Sequence, residues 1–286
     1  MDDNIIRPQS PAAMASLIAD TMDPVRIIGA GSKRNIGLPV KEEVQVVSTS
    51  ALTQVPYFEP SEFVIAAQAG VKVSDLQAKL LAHELSLPFH HPWMDQGATL
   101  GGVIATNLGG DERLDLGAPR DNVLGIEYVN GNGELLRAGG RVMKNVTGLD
   151  MGRALAGSWG RLAILTEIAL KVVPAARMPE AQFAIEDHEA PNLWRISVPA
   201  AQAEALHERL GACLVASRWH GALAWAATSD DAWDGHAIAQ QFDGHALRVR
   251  GQGRAFQPQA AGVKRLEAQV KSALDPRSIF DSQYDG

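Results

Sequence analysis

The chain has 286 residues, of which 46% are hydrophobic and 21% charged, so it is globular in composition and long enough for two domains of roughly 100–200 residues. A formal net charge of −7 weighs against general attraction to nucleic acid or an anionic membrane, and any bound phosphate must be neutralised locally. The single cysteine, Cys213, excludes an intrachain disulfide framework, and its neighbours Ala212, Leu214 and Val215 suggest a buried strand thiol.

The opening MDDNIIRPQS is acidic and carries no apolar run, which argues against a secretory signal. No stretch of about 18 apolar residues occurs, so no transmembrane helix is expected and the location is read as cytoplasmic. Ser10 followed by Pro11 reads as an N-cap and first-turn proline of a helix to about Asp20, with a short apolar strand at Val25–Ile28 after it. The next segment, GAGSKRNIG, sets Gly29, Gly31 and Gly37 around Ser32, with Lys33 and Arg34 as cations. It lacks the third glycine of a dinucleotide fingerprint, and no clear helix follows.

Val44–Val47 and Phe63–Ala67 read as strands, and Ser74 as the cap of a helix with Leu76 and Leu80 on one face, reaching His83 or Glu84. His90 and His91 follow; adjacent residues on an extended segment point to opposite sides, so a shared metal is not expected, and a loop or structural role is. No paired His or Cys motif suggests a metal site elsewhere.

Residues 92–110, PWMDQGATLGGVIATNLGG, form the stretch richest in glycine. Glycines let backbone N–H groups approach a ligand, and successive N–H groups aimed one way make a concavity for anions. Leu100, Val103, Ile104 and Ala105 suggest a short buried helix whose positive end faces that concavity. A diphosphate cradle and a tight connection between packed elements both fit this stretch alone. Arg113 and Arg120 are further nearby cations.

Val123–Val129 and Glu134–Arg137 read as strands joined by a turn at Asn130–Gly133. A helix is expected at about Asp150–Ala156, then a turn at Gly157–Gly160 and a long strand at Leu162–Val173. In the last third, strands are expected at Leu193–Val198, Ala212–Ala216, Ala222–Ala227 and Ala246–Arg250, with helices at Ala200–Leu210 and Asp231–Gln240. A final helix, about Gln259–Leu274, places Val263, Leu266, Val270 and Leu274 on one face and is expected to pack back on the first domain. Trp194, Trp219, Trp225 and Trp233 cluster in this region, as a shared core or as a partner surface.

The ordered segments GAGS, GATLGGVIATNLGG, GAPRDNVLGIEYVNGNGELLRAGGRVMKNVTGLD and GSWGRLAILTEIALKVVP resemble the FAD-binding domain of the vanillyl-alcohol-oxidase/PCMH flavoprotein family. Asp275-Pro276 to Ile279-Phe280 is similar to the D-P-x-x-I-F ending of that family. The resemblance is greatest to flavin-binding subunits of glycolate oxidase (glycolate dehydrogenase) complexes. It implies an α+β fold: a PCMH-type FAD-binding domain of two α+β subdomains over residues 1–175, then a small α+β cap over 176–286.

By position, Gly29, Ala30, Gly31, Ser32 and Lys33 would meet the pyrophosphate and ribitol side of FAD. Pro92, Gly97, Thr99, Leu100, Gly101 and Gly102 would form the second phosphate loop, with Thr106 and Asn107 behind it. Gly157, Ser158, Gly160 and Ile164 would bring backbone groups to the adenine or flavin ring. Gly31 stands where covalently flavinylated relatives carry histidine, which implies dissociable FAD. The region after residue 176 has only scattered His188, His207, His220, His236 and His245, without the close pair of metal-dependent relatives.

The implied activity is oxidation of a 2-hydroxy acid, glycolate to glyoxylate, with electrons passing to a second flavoprotein subunit and an iron–sulfur subunit. Those partners could hold the chain at the inner face of a membrane. A free-standing dehydrogenase and a non-catalytic structural flavin subunit are the alternatives. Catalysis needs a cation for the substrate carboxylate and a base for its hydroxyl proton. The residues name no such pair; Arg141, Lys144 and Arg153 lie close to the Gly157 turn, where solvated loop positions are the simpler expectation.

Overall fold

The computed structural model describes residues 5–37, 44–94, 96–141, 150–179 and 188–280. Lys144 lies outside them. The chain divides into two units: residues 1–32, 41–181 and 265–281 form the first, and residues 33–40, 182–264 and 282–286 the second.

Helix α1 (Pro11–Asp20) in the first unit starts as its sequence dictates. Ser10 is extended (φ −151°) and accepts the Ala13 N–H on its hydroxyl, and Pro11 occupies the first turn. Strands β1 (Ile5–Ile6), β2 (Val25–Ile28) and β3 (Gln45–Ser48) form a parallel sheet in the order β1-β3-β2. Met14, Ile18, Val25 and Val47 pack together with Ile279 and Phe280 from the far end of the chain.

The larger sheet of this unit is antiparallel, with order β4-β5-β9-β7-β8, from β4 (Tyr57–Glu59), β5 (Val64–Gln68), β7 (Val123–Val129), β8 (Leu135–Gly139) and β9 (Ile164–Lys171). Central β9 is apolar and β-branched, and most of its residues are buried. Gly133 closes the β7–β8 turn at φ +79°, where a Cβ would come within 2.5 Å of the Ala19 nitrogen; only glycine fits there. Asn130 Oδ1 accepts the Asn132 and Glu134 N–H groups and holds the same turn.

Helix α2 (Val73–Leu81) packs Leu76 and Leu80 into the main core. It starts two residues earlier than Ser74 suggests: Lys72 stands at the N-cap with no side-chain bond, and Ser74 Oγ reaches Asp75. His83 and Glu84 fall beyond the helix, and Glu84 turns the chain at φ 58°. Helices α3 (Leu100–Thr106), α4 (Arg113–Leu116) and α5 (Met151–Leu155) complete the unit, with the short antiparallel pair β6 (Leu85–Ser86) and β10 (Val173–Pro174). The expected strand at 162–173 is thus interrupted after Lys171, and β1, β4, β6 and α4 lie in stretches where no element was expected.

The second unit contains an antiparallel sheet of order β12-β13-β11-β14, from β11 (Asn192–Ser197), β12 (Leu214–Arg218), β13 (Leu223–Thr228) and β14 (His245–Arg250). Helices α6 (Ala203–Leu210) and α7 (Gly235–Gln241) contribute Leu206, Leu210, Ile238 and Ala239 to a core around the fully buried Trp194. Trp233 meets Trp194 edge-on at 5.7 Å and Trp225 is buried, so both belong to the interior rather than to an exposed aromatic patch. Cys213 departs from expectation: it sits in the turn before β12 and is only half-buried.

Helix α8 (Ala261–Leu274) runs along the chain where the two units divide. Its expected inward face is largely outward, since Val263, Leu266 and Val270 are exposed. Leu274 alone of that stripe packs on the main core, while Glu267 pairs with Arg161 at 2.8 Å and Lys271 donates to the Arg161 and Phe280 carbonyls. Charged side chains anchor this helix, not the apolar stripe.

Candidate functional site

Ligands of parallel sheets gather beyond the carboxyl ends of the strands. At that end of β2 and β3 the chain places Gly29, Ala30, Ser48 and Ser50. Ser48 Oγ donates to the Gly29 carbonyl at 2.8 Å and accepts the Ser50 N–H, and Thr49 N donates to Ile28 O. These contacts fix the backbone that leaves β2 as the glycine loop.

The second glycine stretch comes to the same place. Thr99 caps α3, its hydroxyl accepting the Gly102 N–H at 3.4 Å, and a Cβ on Gly29 would lie 2.1 Å from that hydroxyl. Gly101 is held as tightly from the other side, where a Cβ would meet Ala69 Cβ at 2.7 Å. A side chain at either position has no room. Beside this contact lies a cavity of about 320 Å³ lined by Ala30, Ser50, Thr53, Gly70, Lys72 and Thr99, among others.

At its other end α3 meets the third glycine segment. Gly157 N donates to Ile104 O and Trp159 N to Ala105 O, and a Cβ on Gly160 would come within 3.2 Å of Ile27 Cβ. Gly157 and Gly160 both take positive φ, at 83° and 77°. Asn107 ends α3 in a left-handed conformation (φ 52°), and its Oδ1 accepts the Arg120 N–H. Thr106 donates to Gly102 O and is 3.2 Å from His91 Nε2.

The structure therefore brings together Gly29 and Ala30, Thr99 to Gly102, Thr106, Asn107, Gly157, Ser158 and Gly160. Gly97 is in open space at φ +77°, and Pro92 begins the turn that precedes α3. Ile164 is fully buried at the start of β9 against Val129, so only its backbone is left to face outward from the core. Lys33 belongs to the second unit, as does Arg34.

Of the cations in the first unit, Arg113 is half-buried; burial pushes its guanidinium down, neighbouring Arg120 adds to this, and Asp121 opposes it. Arg141 pairs with Glu167 at 2.9 Å and lies over the Tyr57 ring, and Arg153 is exposed beside Asp150 and Asp121. Sequence reasoning did not single out Ser48, Ser50, Thr53 and Lys72. The run Ser48-Thr49-Ser50 at the exit of an apolar strand was the available signal.

Residues 3–139 match the family described as FAD binding domain. The chain is 29% identical to glycolate oxidase subunit GlcE of Escherichia coli (strain K12), over 90% of this chain and 91% of that protein. It is 31% identical over 60% of its length to a D-lactate dehydrogenase of Archaeoglobus fulgidus, of which the match spans 39%. Among solved structures, alkyldihydroxyacetonephosphate synthase superposes with a TM-score of 0.50 over 72% of this chain and 36% of its own, at 23% identity, a likeness that speaks to fold alone. The matched segment stops at Gly139, yet the five-stranded sheet is complete only with β9, so the domain continues beyond it. Over residues 3–139, just under half of its length, the chain thus matches an FAD binding domain, and along about nine tenths of its length it is similar to a glycolate oxidase subunit.

Proposed function

We propose that the chain is the FAD-binding subunit of a glycolate-oxidase-type complex, acting in the oxidation of a 2-hydroxy acid such as glycolate to glyoxylate. The first unit is then the FAD-binding domain and the second a small cap. The observation that carries the reading is the close approach of Gly29 to Thr99 at the start of α3, where a Cβ at position 29 has no room, beside a cavity lined by Ala30, Ser50 and Thr99. The sequence likeness to a glycolate oxidase subunit over about nine tenths of both chains, and to a D-lactate dehydrogenase in part, supports the substrate class.

In this reading the loop of Gly29, Ala30, Gly31 and Ser32 holds the diphosphate beside the turn from Thr99 to Gly102, whose N–H groups at Leu100, Gly101 and Gly102 bond Val71 O, Ala69 O and Thr99 Oγ1 and fix its shape. Thr106, Asn107, Gly157, Ser158, Gly160 and the Ile164 backbone line the remainder. FAD would supply the two-electron acceptor for the substrate's α-hydrogen. Gly31 offers no nucleophile for a tether, so the flavin would dissociate on denaturation. A second flavoprotein subunit and an iron–sulfur subunit are the electron partners in this proposal.

The test begins with the absorption spectrum of the purified protein before and after acid precipitation, then anaerobic addition of glycolate or D-lactate with and without partner subunits. Flavin released to the supernatant, and reduced only with partners present, is the expected result. Reduction by the isolated chain would instead make it a free-standing dehydrogenase. Flavin that no combination reduces would make the site structural, and a chain that takes up no FAD would overturn the assignment.

A further inference from the structure

The cavity of about 320 Å³ beside Gly29 and Thr99 is at the small end of the roughly 300–1,000 Å³ found for ligand sites. Its walls are tied to one another through the backbone. Gly70 N donates to Leu52 O, Val73 N to Ala98 O and Leu100 N to Val71 O, and Lys72 stands opposite Thr99 in an antiparallel bridge. A Cβ on Gly70 would lie 2.1 Å from Thr49 O, so the exit of β3 and the chain leading into α2 touch there. Lys72 is thereby pinned next to the residue that meets Gly29.

Two cations border this cavity. Lys72, Asp75, Leu76 and Lys79 all line it, and their spacing is that of a single helix face, with the two lysines about 10 Å apart along the axis. Lys72 makes no side-chain bond at the helix cap and, among the described residues, no ion pair; Lys79 lies over the Phe58 ring, 5.6 Å from its centroid. Arginines of the same unit are committed elsewhere: Arg137, Arg141, Arg153 and Arg161 each pair with a carboxylate. Asp75 sets one negative charge between the lysines, and Ser50, Thr53 and Thr99 add hydroxyls to the lining. Two ammonium groups flanking a carboxylate, with hydroxyls and the apolar Val55 and Leu76, match a ligand with phosphate at one end and hydroxyl or amino donors on a flat body at the other. That is the chemistry of a nucleotide.

We propose that this cavity binds the diphosphate of a nucleotide and that Lys72, with Lys79, supplies the cation. That the nucleotide is the ADP half of FAD rests on the function proposed above. The N–H groups of Leu100, Gly101 and Gly102 are taken by Val71 O, Ala69 O and Thr99 Oγ1, and the chain has a net charge of −7, so phosphate charge has to be met by a local side chain. Lys72 is the lysine that the fold fixes beside the glycine loop.

The test is calorimetric titration of the flavin-free protein with ADP at low and high salt, for the wild type, Lys72→Gln, Lys79→Gln and, as a control of equal charge, Lys264→Gln on α8. All three lysines are exposed, so the fold is expected to survive, and thermal unfolding of each variant checks it. ADP affinity is expected to fall about tenfold or more in Lys72→Gln, to depend less on salt there than in the wild type, and to be unchanged in Lys264→Gln. Competition with FAD then separates the sources. FAD that ADP displaces, and that Lys72→Gln weakens in parallel, has its own diphosphate at Lys72, whereas ADP that binds alongside FAD makes the cavity a second nucleotide site; Lys72 is the cation in both. Equal ADP affinity and salt dependence in Lys72→Gln and wild type, or a wild type that binds no ADP, overturns the proposal, whatever FAD does. Lys72-dependent ADP binding by a chain that takes up no FAD overturns the flavin reading instead.

Discussion

A methyl group at position 29 would lie 2.1 Å from the Thr99 hydroxyl, well inside van der Waals contact. Gly29→Val must therefore push Thr99 away from α3 and break the cap on Gly102. Overpacking of this kind costs about 1–3 kcal/mol, and because the displaced turn lines the proposed diphosphate site, FAD affinity should fall at least about tenfold. Thr99→Ala removes the cap without the clash and should cost only about 1 kcal/mol of stability. Flavin titration of both variants checks this; wild-type affinity in Gly29→Val would remove the β2 loop from the site. His236 offers a pH-dependent counterpart in the second unit. Burial beside Trp194 holds its pKa below the usual histidine value, outweighing the acceptors Arg254 O and Gln257 Oε1, which raise it. The folded state thus favours the neutral ring, and its stability is full above the unfolded value of about 6.5 and is lost as pH falls below it. Unfolding followed by tryptophan emission should show that loss, and His236→Gln should flatten it.

The D-P-x-x-I-F ending explains itself at the level of elements. Asp275, buried just after α8, accepts the Ile279 and Phe280 N–H groups at 2.9 Å each and so folds the tail back until Phe280 bridges Val25. Asp275→Ala leaves two buried donors unpaired and should cost roughly 2–3 kcal/mol in denaturant unfolding. Leu266→Glu on the exposed side of α8 should change stability by no more than about 0.5 kcal/mol; a larger loss would show that this stripe is covered. Elements with a cap or a turn signal were legible in the sequence: Ser10-Pro11 sets α1, Asn130–Gly133 sets the β7–β8 hairpin, and alternating apolar runs set β7 and β11. The α8 stripe was misleading because helical periodicity records which residues share a face, not whether a neighbour covers it. Two-residue strands such as β6 and β10 carry no local signal at all; they exist because their partners are held elsewhere.

For the whole molecule, the sequence pointed to the chemistry through its glycines, because a residue without a side chain is legible wherever backbones must meet. It did not point to Lys72, which is brought to Thr99 only by the fold. Nor did anything local mark residues 33–40 as part of the second unit. The same distribution makes cofactor binding measurable as a global effect on the first unit. A ligand that binds only the folded state stabilises it by RT ln(1 + [L]/Kd), about 2.7 kcal/mol at a free concentration 100 times Kd. The amides of Ile126, Ile168 and Leu170, in the interior of the five-stranded sheet, exchange through the largest openings. Their exchange should therefore slow about 100-fold when FAD is added at that ratio. The amides of Leu135 and Arg137 on the edge strand β8, open to solvent on one side, exchange by local fraying and should slow far less. A uniform slowing of all these amides would mean that the edge opens only with the core. No slowing at β7 and β9, with flavin bound, would mean that the cofactor is held without engaging the fold that the glycine loops bring together.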